Sequence, residues 1–268
     1  MSVLQRNNVR VIGDGPDTMV FAHGFGCDQN MWRLIAPSFA ESHRVVLFDL
    51  VGSGKSDLAA YDFDKYSSLQ GYADDVLEVI DATSADKPVI FVGHSVSAMI
   101  GLLAGIKSPE RIDAHVMVGP SPCYINDGDY VGGFSRADIE SLLETMEGNY
   151  LGWASNMAPA IMGSTQQPEL AVELTNSFCR TDPEIATHFA RVTFLSDNRA
   201  DVPKLAAPTL ILQCHDDLIA PVSVGEYLQR ELPNGTLRLI QNVGHCPHLS
   251  SPGACADAMV EFIAALDT

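Results

Sequence analysis

The sequence predicts an α/β fold: a mostly parallel sheet covered by helices on both faces and interrupted by a wholly helical insertion. Three observations predict it. Short apolar runs alternate with amphipathic stretches along most of the 268 residues. The runs are near-continuously apolar, as strands buried on both faces are. The alternation then stops between about Ser121 and Arg199, where helical patterns follow one another with no strand between them.

Taken in order, the predicted strands are Val9–Ile12, Thr18–Ala22, Arg44–Asp49, Val89–Val92, Ala114–Val118, Thr209–Cys214 and Thr236–Ile240. The segments between them read as helices over Asp28–Phe39, Leu69–Ala82, Ser95–Ile106, Val222–Leu232 and Ala254–Leu266. In the second of these, Leu69, Tyr72, Ala73, Val76, Leu77, Val79 and Ile80 approximate the i, i+3, i+4, i+7 spacing of a one-sided helix. The insertion carries four helical patterns: Ser135–Glu147, Tyr150–Met162, Pro168–Phe178 and Pro183–Ser196. Ser135 can cap the first, with Asp138 three residues on as in a capping box. Asp182 can cap the last, where Pro183 suits the first helical position. The division expected is a core of residues 1–120 and 199–268 and a helical lid of residues 121–198. Such an insertion should lie over the carboxyl ends of the strands, where α/β proteins bind ligands.

Composition excludes several function classes. A chain of 268 residues buries enough surface to need no disulfide or metal for stability. Its formal net charge of −18 repels phosphate backbones and anionic lipid heads, so neither nucleic acid nor membrane is an expected partner. The six cysteines, at 27, 123, 179, 214, 246 and 255, are dispersed, and they read as reduced thiols. The first ten residues carry no apolar signal core, and no apolar run is long enough to span a bilayer. The expected location is the cytoplasm.

The strongest chemical signal is the apolar strand at Val89 running into Gly93-His94-Ser95-Val96-Ser97 and straight on into an apolar helix. This is the strand–turn–helix setting of a G-x-S-x-G nucleophile elbow. Positions two before and two after the serine must be small because strand and helix converge there. Gly93 and Ser97 satisfy this, with Ser97 a mild departure from glycine. The turn places Ser95 at a helix N-terminus, where the Val96 N–H points at a developing oxyanion.

The rest of the machinery should follow in the order Ser, Asp, His. The strand ending at Cys214 runs into His215-Asp216-Asp217, and the last strand is followed by Gly244-His245. Asp216 competes with Asp217, which is preferred because D-x-x-x-P spacing to Pro221 suits this fold. His248 competes with His245, which is preferred because Gly244 frees its loop to turn the imidazole inward. His245 would take the Ser95 proton and Asp217 would orient it. The second oxyanion donor is expected at the Phe25 N–H, in the loop His23-Gly24-Phe25-Gly26 after an early strand.

Two decoys fail on context. Gly52-Ser53-Gly54-Lys55-Ser56 ends like a phosphate-binding loop, but Asp49 stands where that motif needs glycine and no helix follows. His245-Cys246-Pro247-His248 offers one cluster without a second ligand pair, so no metal is expected. No other cofactor is implied.

Several stretches resemble the RsbQ-like branch of the α/β hydrolases: His23-Gly-Phe-Gly-Cys-Asp28-Gln29, Gly93-His-Ser-Val-Ser-Ala-Met99-Ile-Gly, Gly119-Pro-Ser-Pro-Cys-Tyr124, Asn149-Tyr-Leu-Gly-Trp153-Ala and Gly244-His-Cys-Pro-His. That branch holds a bacterial stress-signalling hydrolase, which works with a PAS-domain phosphatase, and the plant karrikin and strigolactone receptors. The resemblance implies an α/β-hydrolase fold with a V-shaped four-helix lid. It implies a substrate pocket lined by Phe25, Tyr124, Phe134, Trp153 and Phe194. Met157 and Leu174 fall where the plant receptors carry Phe, so a differently shaped pocket is implied.

The expected activity is a serine carboxylesterase or lactonase acting on a small apolar ester through an acyl-enzyme. The competing expectation is a signalling hydrolase that binds or processes a small ester- or lactone-like ligand and reports to a partner such as that phosphatase. A C–C hydrolase or cofactor-free haloperoxidase using the same residues ranks third.

Overall fold

The computed structural model describes residues 1–84, 86–163 and 166–266. The chain opens with helix α1 (Val3–Arg6), strands β1 (Arg10–Ile12) and β2 (Asp17–Ala22), a 3₁₀ turn (Gln29–Trp32), α2 (Ala36–Phe39) and β3 (His43–Phe48). Next come α3 (Leu69–Thr83), β4 (Val89–His94), α4 (Val96–Lys107) and β5 (Ile112–Val118). Four helices then follow without a strand: α5 (Arg136–Gly148), α6 (Tyr150–Met162), α7 (Pro168–Arg180) and α8 (Pro183–Phe194). The chain closes with β6 (Thr209–Asp216), α9 (Val222–Glu231), β7 (Gly235–Val243), α10 (Pro247–Ser250) and α11 (Pro252–Leu266).

The seven strands form one sheet in the order β1-β3-β2-β4-β5-β6-β7. Only β1 runs antiparallel, against β3. Strand periodicity divides the core in two, because successive side chains point to opposite faces. Val20, Ala22, Val46 and Phe48 pack with α3, α4 and α9 on one face. Met19, Phe21, Val45 and Leu47 pack with Trp32, Phe39 and Met259 on the other. Sheet and helices therefore build the mostly parallel, doubly covered fold that the apolar runs predict.

The insertion between β5 and β6 shares an apolar cluster with loops of the core: Ile139, Trp153, Leu174 and Phe178 belong to it with Met31, Ile219 and Leu249. Its helices begin where the capping signals place them. Ser135 Oγ accepts from the Asp138 N–H at 3.1 Å, and Asp138 Oδ2 accepts from the Ser135 N–H at 2.8 Å. Asp182 Oδ1 accepts from the N–H groups of Glu184 and Ile185.

One predicted helix is corrected. Asp28–Phe39 is not continuous but splits into the 3₁₀ turn and the single turn of α2. Pro37 lacks the N–H that an interior helical bond needs. Asp28 uses its side chain to cap the short turn, accepting from the Asn30 N–H at 2.8 Å. Helix α1 lies in the first ten residues, for which the sequence predicts no helix. Its residues are not buried, so no apolar stripe announces it.

Candidate active site

Ser95 sits between β4 and α4 with φ +56° and ψ −121°, a conformation costly for any residue with a Cβ. The fold holds it there. Its N–H donates to Val118 C=O at 2.8 Å, tying the turn to β5. A methyl group on Gly93 would lie 2.5 Å from Ser97 O, so strand and helix are as close as the elbow requires. Ser97 also does more than stay small. Its hydroxyl donates to His23 C=O at 2.5 Å and fastens the loop after β2 to the elbow. That loop passes directly over the serine: a methyl on Gly24 would lie 3.3 Å from Ser95 Cβ. The Phe25 N–H thus belongs to the residue next to that contact. The Val96 N–H is the first of α4, one of the donors a helix leaves free at its start.

Asp217 follows β6 directly, and His245 lies two residues past β7. Parallel strands bring both to the sheet edge that carries the elbow. His245 Nε2 is 2.8 Å from Ser95 Oγ, and His245 Nδ1 is 2.7 Å from Asp217 Oδ2. The other carboxylate oxygen, Oδ1, accepts from the N–H groups of Ile219 and Ala220 at 2.8 and 3.1 Å. Asp217 is thereby fixed in orientation, while Asp216 is exposed. His245 is held from behind as well. Gly119, at φ +58°, leaves room for the imidazole, since a methyl there would stand 3.1 Å from His245 Cε1.

His248 is elsewhere. It is wholly buried, with ring centroids 4.7 Å from Trp32 and 4.3 Å from His94. Burial holds its imidazole well below the usual histidine range. Burial likewise lowers His94 to about 3, so His94 is neutral and its Nε2–H donates to His245 C=O at 2.9 Å. The ligand atoms of His94, Cys246 and His248 lie within 4.8 Å of one another. The His94 nitrogen nearest Cys246 is already taken by that carbonyl. Burial also raises the Cys246 thiol well above its ordinary value, which disfavours the thiolate a metal needs.

The Gly52–Ser56 decoy is structural. Buried Asp49 gathers it, accepting from the N–H groups of Gln29 and Lys55 and from Asn8 Nδ2.

A small, mostly apolar cavity of about 30 Å³ lies against Ser95 and His245. Of the predicted wall, Phe25, Tyr124, Leu174 and Phe194 line it. Phe134, Trp153 and Met157 do not. Trp153 packs behind the wall, its ring 5.2 Å from Phe178 and 6.2 Å from Phe25. With Met157 it borders a separate groove beside Asp138 and Thr145. Phe134 pairs with Ile125 outside the cavity. For Trp153 and Met157 the reason is the docking of α6: only its last turn, at Ile161, reaches the site. Ile161, Phe178, Thr193 and Ile219 line the cavity without having been anticipated, together with Cys27 and Cys246. Cys246 was legible as the neighbour of His245. The others sit on helix faces or loops whose direction depends on tertiary docking.

Burial raises the Tyr124 hydroxyl to about 12, so it stays protonated beside Ser95. The arrangement therefore holds a hydroxyl nucleophile, a base on its proton, a carboxylate orienting that base and backbone donors overhead. That set can perform acyl transfer.

The profile of the Alpha/beta hydrolase family matches residues 19–258. The chain is 38% identical over 262 residues to the karrikin insensitive 2 receptor CA of Petunia hybrida, covering 97% of both chains. It is 38% identical over 256 residues to strigolactone esterase D14 of Arabidopsis thaliana, covering 95% of both. A solved hydrolase from Oleispira antarctica superposes with a TM-score of 0.94 at 44% identity, over 98% of this chain and 96% of that one. No helix among the described residues is long and apolar enough to cross a membrane.

Proposed function

This chain belongs to the alpha/beta hydrolase family, and from there we propose that it is a serine esterase or lactonase in which Ser95, His245 and Asp217 carry the reaction. The observation that supports this most is the continuous chain of contacts from Asp217 through His245 to Ser95, at 2.7 and 2.8 Å, in a buried site. A nucleophile in reach of a base, itself oriented by a third group, is the arrangement that activates a hydroxyl.

In the proposed cycle, Ser95 Oγ attacks the ester carbonyl and its proton passes to His245 Nε2. The carbonyl oxygen becomes an oxyanion, met by the N–H groups of Phe25 and Val96. Collapse breaks the bond to the leaving oxygen, which takes the proton from His245. A water then attacks the acyl-Ser95, giving its proton to His245, and the acid leaves as Ser95 is reprotonated. Asp217 stays ionised and stabilises the imidazolium.

The insertion α5–α8 serves in this reading as a lid. A substrate bound in the cavity would lie under the insertion, which supplies Ile161, Leu174, Phe178, Thr193 and Phe194 to the wall. Its apolar side chains suit a small ester- or lactone-like ligand.

A second reading has support from one observation. The His245 N–H donates to Ile161 C=O at 2.8 Å, so the lid touches the base through the backbone. Occupancy of the cavity could then be passed outward to a partner protein of the PAS-phosphatase kind. The test is turnover against burst: sustained hydrolysis abolished by Ser95→Ala supports the esterase, and a single-equivalent burst supports the signalling hydrolase.

A further inference from the structure

Among the groups of the cavity wall that the cycle above does not use, one hydroxyl has no hydrogen-bond partner. Thr193, on α8, lines the cavity with Ser95, is 1% exposed, and its Oγ1 has no hydrogen-bond partner. A threonine inside a helix usually donates to the carbonyl four residues back. Three helical threonines here do so: Thr83 to Val79 O at 2.7 Å, Thr145 to Ser141 O at 2.8 Å and Thr175 to Ala171 O at 2.8 Å. Thr193 does not. Its hydroxyl is buried, and Phe25, Ile161, Phe194 and Ile219 stand with Thr193 in the cavity wall. A valine would fill the same volume without a buried unpaired donor. Of the other hydroxyls in the wall, Ser95 is the proposed nucleophile and Tyr124 is hydrogen-bonded to it.

We infer that Thr193 is a specificity-determining residue whose hydroxyl meets an oxygen on the part of the substrate that does not react. The substrate class is then a short ester or lactone with a second acceptor, an ether, ring or carbonyl oxygen, set away from the scissile carbonyl. The inference rests on the esterase reading of the Ser95 site and narrows it. An apolar pocket with one unpaired hydroxyl discriminates strongly, because a hydrocarbon analogue leaves that hydroxyl buried and unsatisfied.

The test uses p-nitrophenyl esters in which one methylene is exchanged for oxygen. The pairs are butanoate with methoxyacetate, and pentanoate with 3-methoxypropanoate. Each is assayed with the wild type, Thr193→Val and Thr193→Ser, so that intrinsic ester reactivity cancels between enzymes. In at least one pair, Thr193→Val should lower the ratio of kcat/KM for the oxygenated ester over its parent about ten-fold or more. Thr193→Ser, which keeps the hydroxyl, should restore that ratio. Unfolding midpoints of all three proteins report whether the helix is intact. Ratios unchanged in both pairs, with both variants folded, would overturn the inference. If instead Ser95→Ala hydrolyses butanoate as fast as the wild type, the esterase reading itself has failed, which is a separate result.

Discussion

The backbone N–H of His245 donates to the carbonyl of Ile161 across 2.8 Å, so the proposed base is held by the last turn of α6 as well as by Asp217. The same junction is sealed by Gly244, whose φ is +97° and on which a methyl would lie 1.9 Å from Met162 O. The insertion and the proposed base are therefore joined at this contact.

Gly244→Ala is expected to separate them. It forces a disfavoured φ and pushes against the end of α6. Hydrolysis of p-nitrophenyl butanoate should fall about ten-fold or more in kcat, with Asp217, His245 and Ser95 all still present. The unfolding midpoint should fall by a few degrees. Wild-type kcat in this variant would mean the junction does not position the imidazole.

The two histidines of the last loop should behave differently. His245→Ala removes the group 2.8 Å from Ser95 Oγ and should lower kcat by about four orders of magnitude or more. His248→Ala instead opens a hole beside Trp32 and His94, so its loss should appear mainly in stability. Steady-state kinetics beside thermal unfolding of both variants decides the matter. Equal losses in kcat would assign His248 a part in the chemistry.

The aspartates divide in the same way. Asp217→Asn keeps shape but loses the charge that orients His245 Nδ1, and kcat should drop by roughly 10³–10⁴. Asp216→Asn, at an exposed side chain, should change kcat by less than about three-fold.

Stability should fall in acid. His94 and His115 are lowered by burial to about 3, and His248 is also held low. An unfolded chain protonates them near 6.5, so it binds more protons than the folded chain over the interval between. Stability is thus full above about pH 6.5 and is lost progressively as pH falls toward 3. His115 is far from the reacting groups in sequence, and both its ring nitrogens lack partners. His115→Leu should therefore raise the unfolding midpoint more at pH 5 than at pH 7. An identical shift at the two values would show that His115 is not a source of the acid sensitivity.

What was legible in the sequence follows the range of the forces involved. Strands, helices and caps depend on neighbours a few residues apart, so Ser135, Asp138 and Asp182 announced the insertion helices. The Ser95–His245–Asp217 set was also legible, because parallel strands deliver their carboxyl ends to one edge whatever the details. The cavity wall was legible only in part, at Phe25, Tyr124, Leu174 and Phe194. Trp153 and Met157 lie on the right helix but on turns that never reach the site, since α6 docks through Ile161 and Met162. Thr193 carries its signal only as a missing partner, which no sequence pattern records. Ser97 looked like a tolerated deviation until its bond to His23 gave it a place in the elbow.

The most direct test of the central proposal is the time course of p-nitrophenol release from p-nitrophenyl acetate by the wild type and by Ser95→Ala at matched concentration. The account predicts sustained, multiple-turnover release by the wild type and none above buffer by the folded variant. A burst of about one equivalent followed by near-arrest would keep Ser95 as nucleophile and shift the reading to the signalling hydrolase. Undiminished release by a folded Ser95→Ala protein would contradict the account.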